Sequence, residues 1–286
     1  MKQLQSRAKK VGVFPMVKHY MEQLGLYGLF QKYIPKAGNG SLEPAQALCV
    51  MVANIVCASK PLYKIGEWLA DYTDGLGEAP VEALLYNDDQ LGRSVDRLFA
   101  TDRRSLLAEL SGNAIRVYDL ETNRIHNDTT SITFAGEYAV PEKGAVKLLH
   151  GFNKDHRPDC KQIVFGLNIV ADGHVPLSFD LFDGNRTDDT THRVNWDGLR
   201  DLLEKEDFIY VADCKLCSAE NLHHIAAHGG KFITVVPKNR QDVKRFYDHL
   251  ATHEVSWEDG YEIESSRKKG EFIRYRTYEA EPSQEG

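Results

Sequence analysis

The stretch QIVFGLNIVADGHVPLSFDLF, residues 162–182, decides the fold class of this chain. Two apolar runs, residues 162–170 and 175–182, flank the tetrapeptide Ala171-Asp172-Gly173-His174. Asp-Gly between two such runs is a strong local signal for a hairpin, because both residues tolerate the backbone angles of a tight turn. We therefore predict two antiparallel strands at this place.

The segments around the hairpin extend it into a sheet with helices. Residues 124–134 are rich in Thr, Ile and Phe, which favours a further strand. Downstream, the pattern predicts helices at 190–204, 218–228 and 241–250, strands at 208–212 and 232–236, and an extended, charged tail at 261–278. Three early strands followed by alternating helix and strand is the order expected of an RNase H-like core. The predicted fold class is thus α/β, a mixed sheet with flanking helices.

The first ~118 residues have a helical pattern throughout. Ser41 is a candidate cap for a helix over 45–58, with Pro44 in its first turn. Further helices are predicted at 62–72, after Asn87-Asp88-Asp89, and at 102–118. We therefore predict an all-α N-terminal domain, residues 1–120, followed by the α/β domain, residues 121–286.

Composition limits the class of protein. The net charge is −7, which argues mildly against a nucleic-acid partner for the chain as a whole. Basic residues are nevertheless clustered, which is the distribution that phosphate binding needs. One cluster precedes the first acidic residue, Glu22, and comprises Lys2, Arg7, Lys9, Lys10 and Lys18. The other comprises Lys147, His150, Lys154, His156, Arg157 and Lys161.

Apolar runs are too short for a membrane span, which needs roughly 18–20 residues. The first twenty residues also lack the features of a secretory signal. We therefore expect a cytoplasmic protein with no membrane partner.

Five cysteines, an odd number in a long chain, argue against a disulfide framework. Cys214 and Cys217 follow a predicted strand and open a helix, where a thiol-disulfide redox pair could lie. That redox function is one alternative reading. A zinc site is less favoured, because the chain has no second cysteine pair.

Two carboxylates fall on predicted strands of the α/β domain. Asp213 ends the strand at 208–212, and Asp128 lies within the strand at 124–134. Carboxylates that converge on Mg²⁺ can support phosphoryl transfer, since the ion prefers hard oxygen ligands and keeps several waters. Spacing alone also allows each to be a turn residue or a helix cap.

From about residue 124 onward the chain resembles insertion-sequence transposases of the DDE type. Four blocks in order carry the resemblance: HNDTTS at 126–131, GFNKDHRPDCKQ at 151–162, GNRTD at 184–188 and VADCKLCS at 211–218. Upstream, residues 20–118 resemble the helical domain of unknown function that often precedes this catalytic domain.

The resemblance implies a metal-dependent DNA transposase with Mg²⁺ or Mn²⁺ as cofactor. Asp128 and Asp213 would be catalytic residues and metal ligands, for end cleavage by water and then attack of the freed 3′-hydroxyl on target DNA. The partners would be transposon ends, target DNA and a second copy in a homodimer. The implied DNA-binding residues are Lys154, His156, Arg157, Lys161, Asn185 and Arg186.

One departure from the family concerns its third acid, a Glu on a later helix that also carries Tyr, Arg and Lys. Glu271, Glu279 and Glu281 do not lie in such a motif. We therefore expect an incomplete catalytic domain that is inactive alone. The alternative is a non-catalytic remnant that binds DNA or a full-length partner.

Overall fold

A five-stranded mixed sheet lies at the centre of the first of two units in the computed structural model, Met1–Ile233 and Thr234–Gly286. The residues that the structure describes are 11–36, 42–71, 85–138, 145–152, 157–187 and 190–279. Ser41, Lys154, His156 and Glu281 therefore lie outside the described residues.

The sheet has the strand order β3-β2-β1-β4-β5. Its strands are β1 Arg124–Phe134, β2 Lys161–Val170, β3 Pro176–Asp183, β4 Ile209–Val211 and β5 Lys231–Ile233. The first three strands are antiparallel, whereas β4 is parallel to β1 and β5 is parallel to β4. This mixed order, with a hairpin on one side and parallel strands on the other, is the RNase H-like arrangement that the sequence predicted.

The predicted hairpin forms, and its turn contains two residues with positive φ, Gly173 at 64° and His174 at 55°. β1 has the predicted bounds. β5 is shorter than predicted, because it pairs only with the three-residue β4 and ends at Ile233.

The described residues of the first unit also form eight α-helices. They are α1 Phe14–Gln23, α2 Leu26–Tyr33, α3 Pro44–Cys57, α4 Ile65–Ala70, α5 Asp88–Ala100, α6 Arg103–Tyr118, α7 His192–Leu203 and α8 Ala219–Ala227. The N-cap position of α3 is Glu43, so Ser41 is not its cap. Asn87 caps α5 as predicted, with its side chain accepting a hydrogen bond from the Gln90 amide.

Two separate hydrophobic clusters hold the first unit together. One is built from the N-terminal helices and includes Leu48, Trp68 and Leu91. The other lies between one face of the sheet and the helices that follow it, and is centred on Trp196 and Tyr210, both fully buried. The domain boundary predicted at residue 120 lies between these clusters and stays a prediction.

Helix α6 joins the N-terminal helices to the sheet. It packs on β3, and the Ser111 hydroxyl donates a hydrogen bond to the Leu177 carbonyl oxygen. Ser111 is buried, so this bond satisfies a polar group that would otherwise be costly to remove from water.

A buried network of polar side chains connects the strands to α7. Asn195 donates to Asn168 Oδ1 (2.9 Å) and to the Tyr210 hydroxyl (2.8 Å), and it accepts from Asn168 Nδ2 (2.7 Å). Asn127 donates to the same Asn168 oxygen at 2.9 Å. Because Asn127 points into this network, the next residue of β1, Asp128, must face the opposite side of the sheet.

We expect Asn195→Ala to lower the free energy of unfolding by about 2–4 kcal/mol, since it removes three hydrogen bonds to Asn168 and Tyr210 from a buried network. Urea denaturation measures this loss. The control is Asn185→Ala, at an exposed position, which should change stability by less than about 0.5 kcal/mol. Equal effects for the two variants would contradict a structural role for the network.

In the second unit, residues 234–279 form one helix and one hairpin. They are α9 Gln241–Thr252, β6 Glu258–Glu264 and β7 Phe272–Thr277, with β6 antiparallel to β7. The tail predicted to be extended is therefore a two-stranded hairpin.

Within the described ranges, no single helix is long and apolar enough to cross a membrane. Only a pair of helical segments, Pro44–Cys57 and Leu62–Ala70, is together long and apolar enough, and the chain bends by 95° between them.

Candidate functional site

Asp128 and Asp213 are brought to the same side of the sheet by the pairing of β1 with β4. The parallel register sets Ile125 opposite Tyr210 and His126 opposite Val211. Continuing that register by two residues sets Asp128 beside Asp213. Ile125 and Tyr210 are fully buried on one face of the sheet. Because side chains alternate between the two faces along a strand, His126 and Val211 lie on the other face. Asp128 and Asp213 follow them by two residues and therefore lie on that face too.

Both carboxylates line one hollow of about 300 Å³. Its other lining residues are His126, Asn127, Leu167, Ile169, Val211 and Ala212. The hollow thus combines an acidic rim with apolar walls. Sequence reasoning expected the two acids to be neighbours, and the structure brings them together; that they hold a metal stays a prediction.

Local backbone groups orient each carboxylate. Asp128 Oδ1 accepts a hydrogen bond from the Thr129 amide at 2.7 Å, and Asp213 Oδ1 accepts one from the Lys215 amide at 2.9 Å. Asp213 lies two residues beyond the end of β4, at the carboxyl end of a parallel strand, where open α/β sheets place ligands.

His126 is a residue of this hollow that sequence reasoning did not single out. Burial lowers its pKa below the usual value, and the charges of Arg124 and His174 lower it further. A lowered pKa favours the neutral form of this imidazole. The signal that could have identified it is the two-residue spacing from Asp128, which puts both side chains on one face of a strand.

The donor set fits a hard divalent cation. Two carboxylates offer the oxygen ligands that Mg²⁺ and Mn²⁺ prefer, and Mg²⁺ keeps several of its waters when protein ligands are few. In the part of the chain that the structure describes, no three His, Cys, Asp or Glu side chains come together as a metal-binding group. Asp128 and Asp213 would therefore hold such an ion with water completing its coordination.

Lys161, one of the predicted DNA-binding residues that the structure describes, lies beside the carboxyl end of β1, away from Asp128. Thr133 of β1 pairs with Gln162, whereas Asp128 pairs with Leu167, five residues along β2. Five residues of strand span roughly 17 Å, or about five base pairs of a duplex. Lys161 shares a face with Leu167 by the two-residue alternation, and therefore lies on the same side of the sheet as the acids.

The remaining predicted DNA-binding residues differ in what they contact. Asn185 and Arg186 are exposed just after β3, and the Arg186 guanidinium donates a hydrogen bond to the Thr190 carbonyl oxygen at 3.3 Å. Arg157 makes a two-pronged contact with Asp159 at 2.9 and 2.8 Å, which holds the pKa of that carboxyl below its usual range. Arg157 is thus partly neutralised by its neighbour.

A close crossing of three chain segments organises this end of the sheet. Gln162 is 1% exposed, and its Nε2 donates to the carbonyl oxygens of Gly184 (2.8 Å) and Phe152 (3.2 Å). A Cβ on Gly184 would lie 1.9 Å from the Gln162 carbonyl oxygen, and one on Gly151 would lie 2.1 Å from the Gly184 oxygen. Only glycine fits at either position. Sequence reasoning noted both glycines in motif blocks but did not predict this contact.

The cysteine pair is arranged differently from the redox alternative. Helix α8 begins at Ala219 with Ser218 as its cap, so both cysteines lie in the turn before the helix instead of opening it. Neither cysteine is joined by a disulfide in the part of the chain that the structure describes, and Cys217 is 9% exposed.

Comparison with known proteins gives one match to a family model. The family described as "Domain of unknown function (DUF4277)" matches residues 6–112, which is less than half of the chain. No curated protein matches the chain.

Three solved structures of the Mos1 transposase show a weak likeness to the chain. The paired-end complex with the left transposon end is 9% identical, with 77% of this chain and 75% of that chain covered and a TM-score of 0.27. The catalytic domain of the mariner enzyme is 9% identical, covering 54% and 72%, at 0.26. The paired-end complex with Mn is 11% identical, covering 88% and 82%, at 0.27. Likenesses at this level carry no functional conclusion.

Proposed function

We propose that this chain is a DDE-type DNA transposase of the insertion-sequence kind, with Asp128 and Asp213 as metal-binding catalytic residues. The observation that supports this most is the meeting of the two acids in one hollow on an RNase H-like sheet. They are about 85 residues apart in sequence.

The residues of the hollow have distinct roles in this proposal. A divalent cation, when bound, would supply an activated water and stabilise the charge that develops on a phosphate oxygen. Asp128 and Asp213 bind and orient the ion from neighbouring strands. His126 lines the same hollow, two residues before Asp128 on β1.

DNA is the proposed substrate, as transposon ends and as target. Lys161 lies on the face of the acids, and Arg186 and Asn185 are exposed at the same end of the sheet as Lys161. We propose that these residues, with Arg157, Lys154 and His156, hold phosphates of a duplex that runs along β1 to the hollow. A homodimer acting in the cytoplasm is part of the same proposal.

We expect the 286-residue chain to bind duplex DNA in a salt-sensitive way and to nick it at no useful rate, because in-line displacement needs a second metal position. Gel-shift titration over a range of salt measures binding. Supercoiled plasmid with Mg²⁺ or Mn²⁺ measures nicking. Nicking that disappears in Asp213→Asn would contradict the expectation of an incomplete site, and binding that ignores salt would contradict the phosphate contacts.

A non-catalytic DNA-binding remnant is the second candidate. It is favoured by the finding that the described residues contain no group of three metal-ligating side chains. Cation binding separates the candidates: a catalytic piece binds Mn²⁺ through Asp128 and Asp213, whereas a remnant shows no Mn²⁺ binding that depends on them.

A further inference from the structure

Phe152 is the most exposed large apolar side chain among the described residues. Its exposure is 86%, compared with 68% for the next, Ile55. A phenylalanine in this state forgoes the roughly 1.5–3 kcal/mol that burial of its ring would contribute. Exposure alone is common on protein surfaces, so its meaning depends on how the residue is held and on what surrounds it.

The backbone of Phe152 is held firmly although its ring is free. Its carbonyl oxygen accepts a hydrogen bond from the buried Gln162 side chain at 3.2 Å. The preceding residue, Gly151, is packed against the Gly184 carbonyl so closely that no Cβ fits. The oxygen of the Gln162 side-chain amide, Oε1, is buried with no hydrogen-bond partner in the described ranges. The amide therefore acts there as a donor to two chain segments.

Basic residues lie on each of the segments that meet at Gln162. Lys161 precedes it in β2. The Lys147 carbonyl oxygen accepts a hydrogen bond from the Gly184 amide, so Lys147 lies next to the turn that carries Arg186. An exposed aromatic ring on a held backbone, with cations on the neighbouring segments, is the combination that binds unpaired nucleic acid, because bases stack on the ring while the cations hold phosphates.

We propose that Phe152 stacks on an unpaired base of DNA, next to phosphates held by Lys147, Lys161 and Arg186. The proposal rests on DNA being the partner in the proposed function, and it adds a preference for frayed or single-stranded ends. The cationic and polar neighbours favour DNA over an apolar protein surface as the occupant. Stacking uses the flat face of the ring, so it is tolerant of base identity.

The test compares a fluorescein-labelled blunt duplex with the same duplex carrying a short unpaired extension, by fluorescence anisotropy. Wild type binds the extended duplex more tightly. Phe152→Ala weakens the affinity for the extended duplex by about 10-fold, equivalent to about 1.4 kcal/mol, and leaves the affinity for the blunt duplex unchanged. Phe152→Trp retains the preference, whereas Phe152→Leu loses it. The control Tyr63→Ala, which removes another exposed ring (66% exposed), changes neither affinity.

Several outcomes would overturn the proposal. Equal loss on both duplexes after Phe152→Ala, or full retention by Phe152→Leu, means that the ring does not stack on a base. If wild type binds both duplexes with equal affinity, the stacking proposal is wrong, but DNA remains the proposed partner. Binding to neither duplex overturns both.

Discussion

Asp213→Asn and Asp128→Asn are each expected to weaken Mn²⁺ binding by about 100-fold or more. Loss of a residue that only supports a metal ligand commonly weakens metal affinity by about 10–100-fold. Loss of a charged ligand itself should therefore weaken it by about 100-fold or more. The fold should be unchanged, because asparagine Oδ1 can still accept the Thr129 or Lys215 amide. Isothermal titration or the electron paramagnetic resonance signal of free Mn²⁺ measures the affinity.

The control for this pair is Asp201→Asn, which removes one negative charge from an exposed position on α7. Its Mn²⁺ affinity should match that of wild type. If the proposed function holds, the same two substitutions should abolish end cleavage and leave DNA binding largely intact, since the proposed phosphate contacts involve other residues. Retained Mn²⁺ affinity in either variant would remove that residue from the site.

Gly184→Ala is expected to lower the free energy of unfolding by about 3 kcal/mol or more. The new Cβ would lie 1.9 Å from the Gln162 carbonyl oxygen and 2.5 Å from that of Leu149. Both atoms belong to the backbone, so neither can swing aside as a side-chain end could. Relief requires β2 to move away from the turn, which breaks the bond from Gln162 Nε2. Urea denaturation measures the loss.

Gly112→Ala is the matched control for this prediction. Gly112 lies inside α6 with no atom within 4 Å of its Cβ position. Alanine there should raise stability by about 0.5–1 kcal/mol, because it restricts the unfolded chain and favours helix. A Gly184→Ala protein as stable as wild type would mean that the three-segment crossing is looser than described.

The long antiparallel strands could be predicted from the sequence because their signals are local. Alternating burial runs along β2, and the Asp-Gly turn fixes the register of the hairpin. The short parallel strands gave weaker signals. β5 has three residues and is paired only along Lys231–Ile233, so the apolar residues that follow, such as Val235, extended the predicted strand wrongly.

The candidate site could be predicted only in part. Each acid was identifiable from its strand and its motif block, but their meeting depends on the pairing of β1 with β4, which no local pattern encodes. Gln162 shows why the rest was missed. A polar residue at the edge of an apolar run suggests a solvated position, yet its side chain is buried by Phe152 and Gly184 from two distant segments.

The parallel pairing of β1 with β4 also sets the order in which the hollow can form during synthesis. The ribosome makes Asp128 about 85 residues before Asp213, a delay of about 4–17 s at ordinary rates of translation. The hairpin of β2 and β3 can pair with β1 in that interval, whereas β4 must await the crossover through α7. A nascent chain that stalls before residue 213 therefore presents a folded hairpin and one acid, and cannot assemble the two-carboxylate hollow.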